Sequence, residues 1–193
     1  FGQVSRPGDI KYKDLNHDGV IDSNDQAPIG YNPVPEMTFS LAAGLNWKGI
    51  DFSILLQGAA RSSIYLQQDI AWDNFWGNYY EEHIGRWTPE TAATATYPRF
   101  TKAATAAHPN YYKSDYWLKD SKYLRLKNIQ LGYTIPRKLL KKFGVRSLRV
   151  YANAYNLFTW DNVKKVDPES SNNSNGQFYP QQKVINFGIN LNF

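Results

Sequence analysis

The chain has 193 residues, 42% hydrophobic and 20% charged, a balance too apolar for a disordered protein and sized for one or two domains. It contains no cysteine, which excludes a disulfide scaffold, a thiolate metal site and a cysteine nucleophile. Its net charge of +5 invites nucleic acid, but much of the excess sits in Arg137, Lys138, Lys141, Lys142, Arg146 and Arg149, a short basic stretch that reads as a solvated turn, so no nucleic-acid partner is expected.

A mean hydropathy of −0.57, with no run of about 18 apolar residues, excludes a transmembrane helix. It does not bear on a β-barrel, which hides its apolar surface at every second position. With 14 Tyr and 6 Trp the chain has the aromatics for interfacial girdles and equally for stacking on sugars. It opens on Phe1-Gly2 with no Met, charged n-region or apolar h-region, so no targeting signal can be read and a longer parent protein is expected.

Residues 1–36 are rich in Gly, Pro, Asp and Asn and are expected to form a loop. Within them, counting from Asp14, oxygen-bearing side chains fall at loop positions 1, 3, 5, 9 and 12 (Asp14, Asn16, Asp18, Asp22, Asp25), with Gly19 at 6 and the Val20 carbonyl at 7. This is calcium-loop spacing: glycine permits the sharp turn, Ile21 is placed to anchor the loop, and hard oxygens surround a hard cation. A structural Ca²⁺ is therefore expected. Asp25 stands where the usual helix-loop-helix hand has Glu, and this shorter arm resembles the bacterial dockerin-type loops and implies weaker or water-mediated binding. The competing reading is an Asp/Asn-rich turn capped by its own side chains.

Residues 37–60 alternate strictly. Phe39, Leu41, Ala43, Leu45 and Trp47 share one face, and after a tight turn at Lys48-Gly49 the row continues through Ile50, Phe52, Ile54 and Leu56. Each arm is about 10 residues long, as a tilted transmembrane strand requires. From 61 to 115 the alternation dissolves into a long aromatic-rich loop, with some helix allowed between Ile64 and Ile84. Trp72, Phe75, Trp76, Tyr79 and Tyr80 are its candidates for substrate or partner contact, against simple loop packing. Glu81, Glu82 and His83 do not have the spacing of a metal site, and His17 and His108 read as surface residues.

Residues 116–160 form a second predicted hairpin. Ile129, Leu131, Tyr133 and Ile135 are out of phase with Leu124 and Leu126, and a bulge near Lys127-Asn128 would restore the phase. Pro136 to Val145 is a polar connector with room for one helical turn. A Ser/Asn/Gly/Pro loop covers 161–181, and the last strand, 182–193, alternates without exception: Ile185, Phe187, Ile189, Leu191 and Phe193 against Asn186, Gly188, Asn190 and Asn192. One row suits lipid and the other a wet lumen.

About five antiparallel strands joined by alternately short and long connections make an all-β, up-and-down architecture whose short turns face the periplasm and whose long loops lie outside. A membrane barrel needs about eight strands or more, so the remaining strands are expected upstream.

The residues also resemble a known family. Pro7-Gly8-Asp9-Ile10-Lys11-Tyr12, Lys48-Gly49-Ile50-Asp51-Phe52 with Gln57-Gly58, Arg86-Trp87-Thr88-Pro89-Glu90 and Pro98-Arg99 occur in this order. They are followed by Tyr123-Leu124-Arg125-Leu126-Lys127-Asn128-Ile129 with Leu131-Gly132-Tyr133, Tyr155-Asn156-Leu157-Phe158-Thr159, Asp167-Pro168-Glu169 and the terminal Phe. Together they resemble the C-terminal portion of SusC/RagA-type TonB-linked outer-membrane transporters. The resemblance implies a barrel of about 22 strands with an upstream plug and TonB-contacting segment, a SusD-like surface lipoprotein as partner, import of oligosaccharides or peptides, and a role for Phe193 as a barrel-assembly signal. The chain is thus expected to be non-enzymatic, embedded in outer-membrane lipid, and to supply wall, loops and closure. A passive porin or adhesin barrel, or a secreted calcium-dependent carbohydrate-binding module, would share some of these features.

Overall fold

The computed structural model describes residues 5–73, 77, 79–102, 108–164, 166–170, 179 and 181–193. They fall into two compact units: Asn32–Ser63, Asp120–Glu169 and Tyr179–Phe193 make one, and Phe1–Tyr31, Ile64–Lys119 and Ser170–Phe178 the other.

The first unit is built on an open, wholly antiparallel sheet of five strands in the order β1 (Met37–Trp47), β2 (Ile50–Ala60), β5 (Tyr123–Thr134), β6 (Ser147–Asp161) and β7 (Val184–Asn192). Two shorter strands, β3 (Ser63–Tyr65) and β4 (Leu118–Asp120), pair separately. The β1–β2 turn has positive φ at both Lys48 (47°) and Gly49 (89°), the geometry that matches the twist of a two-residue hairpin. Gly49 is required there, because a Cβ would fall 2.7 Å from the Thr134 carbonyl oxygen.

Opposite residues in an antiparallel ladder share a face, so the register shows the two rows running across the sheet. Leu45 pairs with Phe52, Phe52 with Leu131, Leu131 with Ala152 and Ala152 with Phe187. The phase break in β5 is resolved by a bulge at Lys127: Asn128 pairs with Leu55 and Leu126 with Leu56, so Lys127 is extra and Leu124 and Leu126 rejoin the row of Ile129 and Leu131. Facing the bulge, β6 also accommodates additional residues, and Asn156 there adopts φ 51°.

The segment 116–136 is not one strand. β4 ends at Asp120, whose carboxylate caps the Lys122 N–H, and Ser121 donates to the Ser62 carbonyl, so the chain is turned before β5 begins. The 136–145 connector does contain a single α-helical turn, α1 (Arg137–Leu140), then a 3₁₀ turn closed by Gly144 at φ 68°.

In the second unit the helix allowed over 64–84 is reduced, among the described residues, to 3₁₀ turns at Gln68–Ile70 and Glu81–Gly85. Tertiary bonds take the carbonyls a helix would need: Ala71 accepts from the Tyr97 hydroxyl at 2.8 Å instead. The core here is aromatic, with Trp72, Tyr97, Tyr111 and Trp117 buried together with Ile64 and Leu66.

Candidate functional site

The 14–25 loop is held by its own amides. Asp14 accepts from His17 N (2.6 Å) and Gly19 N (2.8 Å), Asp18 from Val20 N (2.8 Å), and Asp22 from Asn24 N (2.7 Å). Asp25 closes the loop by accepting from Leu15 N (2.6 Å) and Asp22 N (2.8 Å), and these bonds hold its carboxyl below the ordinary range. Gly19 has φ 83°, as the turn at loop position 6 demands. No three acidic or histidine side chains among the described residues are gathered as a metal cluster. The donor set fits a hard cation in its chemistry, since each carboxylate has lone pairs beyond those taken by amides. Ile21 is exposed and lines a cleft of about 530 Å³ with residues 5–12, Pro109 and Tyr112, instead of anchoring the loop in a closed core.

Of the loop aromatics, Trp72 is buried against Tyr111, with ring centroids 4.8 Å apart, and belongs to the packing of its unit. Tyr79 and Tyr80 are exposed and set edge-on to His83. Phe75 and Trp76 lie outside the described residues. His83 is buried: its Nδ1 accepts the Tyr80 N–H at 3.0 Å, which leaves Nε2 to donate to the Ala71 carbonyl at 3.2 Å. His108, expected on the surface, is part-buried and caps a 3₁₀ turn by accepting from Asn110 N, and burial pushes its pKa down.

Sequence reading missed the polar centre of this unit. Asp73 is buried and accepts from the Tyr97 hydroxyl (3.3 Å), from Thr101 N (3.0 Å) and, over a short bond, from the Tyr111 hydroxyl. Burial and the neighbouring carboxylate push both phenols upward. The family-like motifs interlock nearby. Arg99 grips Asp9 through Nε (2.7 Å) and Nη2 (3.1 Å), Arg99 N donates to the Gly8 carbonyl, and Trp87 occupies the space a Cβ on Gly8 would need.

In the sheet unit one face is apolar and uncovered: Phe39, Leu41, Leu45, Phe187, Ile189 and Leu191 are all exposed, Phe187 at 83%. Phe193 follows β7 directly and is exposed too. The other face carries amides and charges. Asn186 donates to Asn153 at 3.0 Å and Asn192 to Ser147 at 2.7 Å, each directly across the β6–β7 ladder. Arg149 reaches over β5 to Asp51 (2.9 and 2.5 Å), passing above Gly132, where a Cβ would sit 2.5 Å from both partners.

At the opposite end of that face Arg125 is 1% exposed. Its Nε donates to Thr159 (2.9 Å), Nη1 to Glu169 (2.9 Å) and Nη2 to both oxygens of Asp167 (2.9 and 2.8 Å), while the Tyr123 hydroxyl also donates to Glu169 (2.5 Å). Two of the family-like motifs, Tyr123-Leu124-Arg125 and Asp167-Pro168-Glu169, are therefore the halves of one latch. A lone arginine among strand hydrophobics was the only sequence sign of it.

No protein-family profile matches the chain. TonB-dependent receptor P26 of Formosa agariphila is 30% identical over 96% of this chain and 20% of its own length. TonB-dependent receptor SusC of Bacteroides thetaiotaomicron is 26% identical over 100% of the chain and 18% of its own. Among solved structures, the RagAB peptide importer in its open-open state superposes with TM-score 0.68 at 23% identity, over 90% of this chain and 19% of that one. The chain spans about one fifth of the length of the relatives it matches. Along nearly its whole length the chain is thus homologous to part of TonB-dependent receptors, SusC among them, and it shares the fold of the RagAB structures.

Proposed function

We propose that this chain supplies barrel wall and outer loops to an outer-membrane importer that draws on the TonB complex through its upstream part. The observation that supports this most directly is the sheet. Its apolar row stays in register across five strands and is uncovered, while the opposite row holds amides and ion pairs suited to a wet lumen. By the rule that short turns face the periplasm, the Lys48-Gly49 turn and the 136–145 connector lie inside, and 1–36, 61–115 and 161–181 lie outside. The chain then does no chemistry itself. The cargo class is oligosaccharide or peptide, received together with a SusD-like lipoprotein, and of the 61–115 aromatics picked out in the sequence the exposed Tyr79 and Tyr80 are placed to meet either.

The full-length protein should fractionate with the outer membrane, and collapsing the proton gradient should abolish its uptake of an oligosaccharide and peptide mixture. Detergent-free solubility, or uptake indifferent to the gradient, would defeat the reading.

The same reading assigns one structural Ca²⁺ to Asp14, Asn16, Asp18, Asp22, Asp25 and the Val20 carbonyl, where it would bring together carboxylates that now cap amides separately. Isothermal titration should show calcium binding that Asp14→Asn with Asp25→Asn removes. Phe193 is assigned to the assembly signal: its deletion should lower the amount of assembled barrel without changing uptake per assembled molecule.

A further inference from the structure

Arg149 of the basic stretch singled out in the sequence is engaged by Asp51, but Arg137, Lys138, Lys141, Lys142 and Arg146 take part in none of the contacts described above. The stretch forms the connector between β5 and β6, at the end of the sheet that also carries the Lys48-Gly49 turn and the end of β7: Thr134 N donates to the Gly49 carbonyl (2.7 Å) and Arg146 N to that of Asn192 (2.8 Å). Leu140 is buried. Leu139 and Phe143, four residues apart, are 65% and 75% exposed, and Arg137, Lys138, Lys141, Lys142 and Arg146 are exposed around them. Residues 121–160 contain no Asp or Glu, and Asp51, the acid near this end, is already engaged by Arg149. The uncovered apolar row arrives at the same end through Trp47, Tyr133 and Leu191, with the Lys48 ammonium 4.9 Å above the Trp47 ring.

An apolar pair flanked by unneutralised cations, continuous with a row of exposed hydrophobics, matches a bilayer surface: chain-deep for the carbon, phosphate-level for the charge. Plain solvation of the turn explains the cations but not Leu139 and Phe143 held out beside them.

We propose that this rim, through Leu139 and Phe143 with Lys138, Lys141, Lys142 and Arg146, docks on anionic glycerophospholipid headgroups in the leaflet on the short-turn side. It rests on the membrane reading given above. The contact selects headgroup charge and fixes how deep the wall sits at its inner edge.

The full-length protein is reconstituted in nanodiscs of equimolar phosphatidylglycerol and phosphatidylethanolamine, and the lipid retained after mild delipidation is measured by native mass spectrometry. Phosphatidylglycerol should be enriched severalfold, and K138Q/K141Q/K142Q should return the ratio to that of the bulk, each near-surface cation contributing severalfold. K11Q/K13Q should change nothing. Enrichment that survives the triple substitution overturns the proposal.

Because that variant could fail to assemble, Phe143 is separately replaced by the photo-crosslinker p-benzoyl-phenylalanine in an otherwise native chain. Irradiation should give a phospholipid adduct. An adduct to protein, such as an upstream segment of the same chain, or no adduct at all, overturns the contact while leaving the barrel in place. Failure of the native protein to insert in the bilayer falls instead on the membrane reading and removes this inference with it.

Discussion

Arg125 donates from all three guanidinium nitrogens to Thr159, Glu169 and Asp167 while almost fully buried. Removing it would leave Asp167 without its counter-charge and Glu169 with Lys127 alone, at 3.8 Å, a loss on the order of 3 kcal/mol. Arg125→Ala should therefore free the 161–181 loop to protease while the wall remains assembled. Arg125→Lys should restore little, since one ammonium cannot reproduce the planar fork, and unchanged loop cleavage in both variants would show that the latch does not hold the loop. Asp25 permits a pH test of the outer loop. Its carboxyl is lowered by the amides of Asp22 and Leu15, so the stability it contributes is complete above the ordinary carboxylate pKa and is lost as pH falls through the lowered one. Amide-exchange protection at Leu15, Asn16 and Asp22 should fall on acidification through about pH 4 and below, after correction for intrinsic rates. Asp25→Asn should show no such acid-dependent step at these amides.

At the scale of strands, register is fixed twice over. Period-two alternation sets which row meets which medium, and the Asp51–Arg149 pair spans β5 only because Gly132 leaves the space. Gly132→Ala must either push the pair apart or shift the strand, at a cost of about 1–3 kcal/mol. A double-mutant cycle on Asp51 and Arg149 should give a favourable coupling for this bidentate pair, and that coupling should vanish in the Gly132→Ala background. A coupling that persists there would mean the glycine has another role. What could be read in advance divides along the same physical line. The rows, the Lys48-Gly49 turn and the Lys127 bulge are local and periodic, so each leaves a trace within a few residues of sequence. The Asp73–Tyr97–Tyr111 centre, buried His83, the Arg125 latch and the Arg99–Asp9 pair join residues up to 90 positions apart with no period to announce them. The break at Ser121 was hidden because both sides of it have strand-like composition. Its cause, the pairing of Ser121 with Ser62, is again distant in the chain.

For the molecule as a whole, the decisive asymmetry is between the two faces of β7. Phe187 lies near the middle of the strand, pairs with Ala152 and is the most exposed of its row, whereas the neighbouring Asn186 points to the opposite face and bonds Asn153. In a soluble two-faced sheet an arginine at either position would cost little, because both are open to water. If the apolar row meets hydrocarbon, Phe187→Arg places a cation near the bilayer midplane at a cost of about 2–4 kcal/mol, while Asn186→Arg enters a wet lumen at a cost of about 1 kcal/mol or less. The two substitutions are adjacent in sequence and identical in chemistry, so aggregation, expression and net charge affect them alike. Assembled barrel, measured as the heat-modifiable fraction in outer-membrane preparations, should fall severalfold for Phe187→Arg and remain near native for Asn186→Arg. Equal losses would mean that the rows do not separate lipid from lumen. The reverse order would mean that the sheet faces the other way, with Phe187, Ile189 and Leu191 turned to the interior.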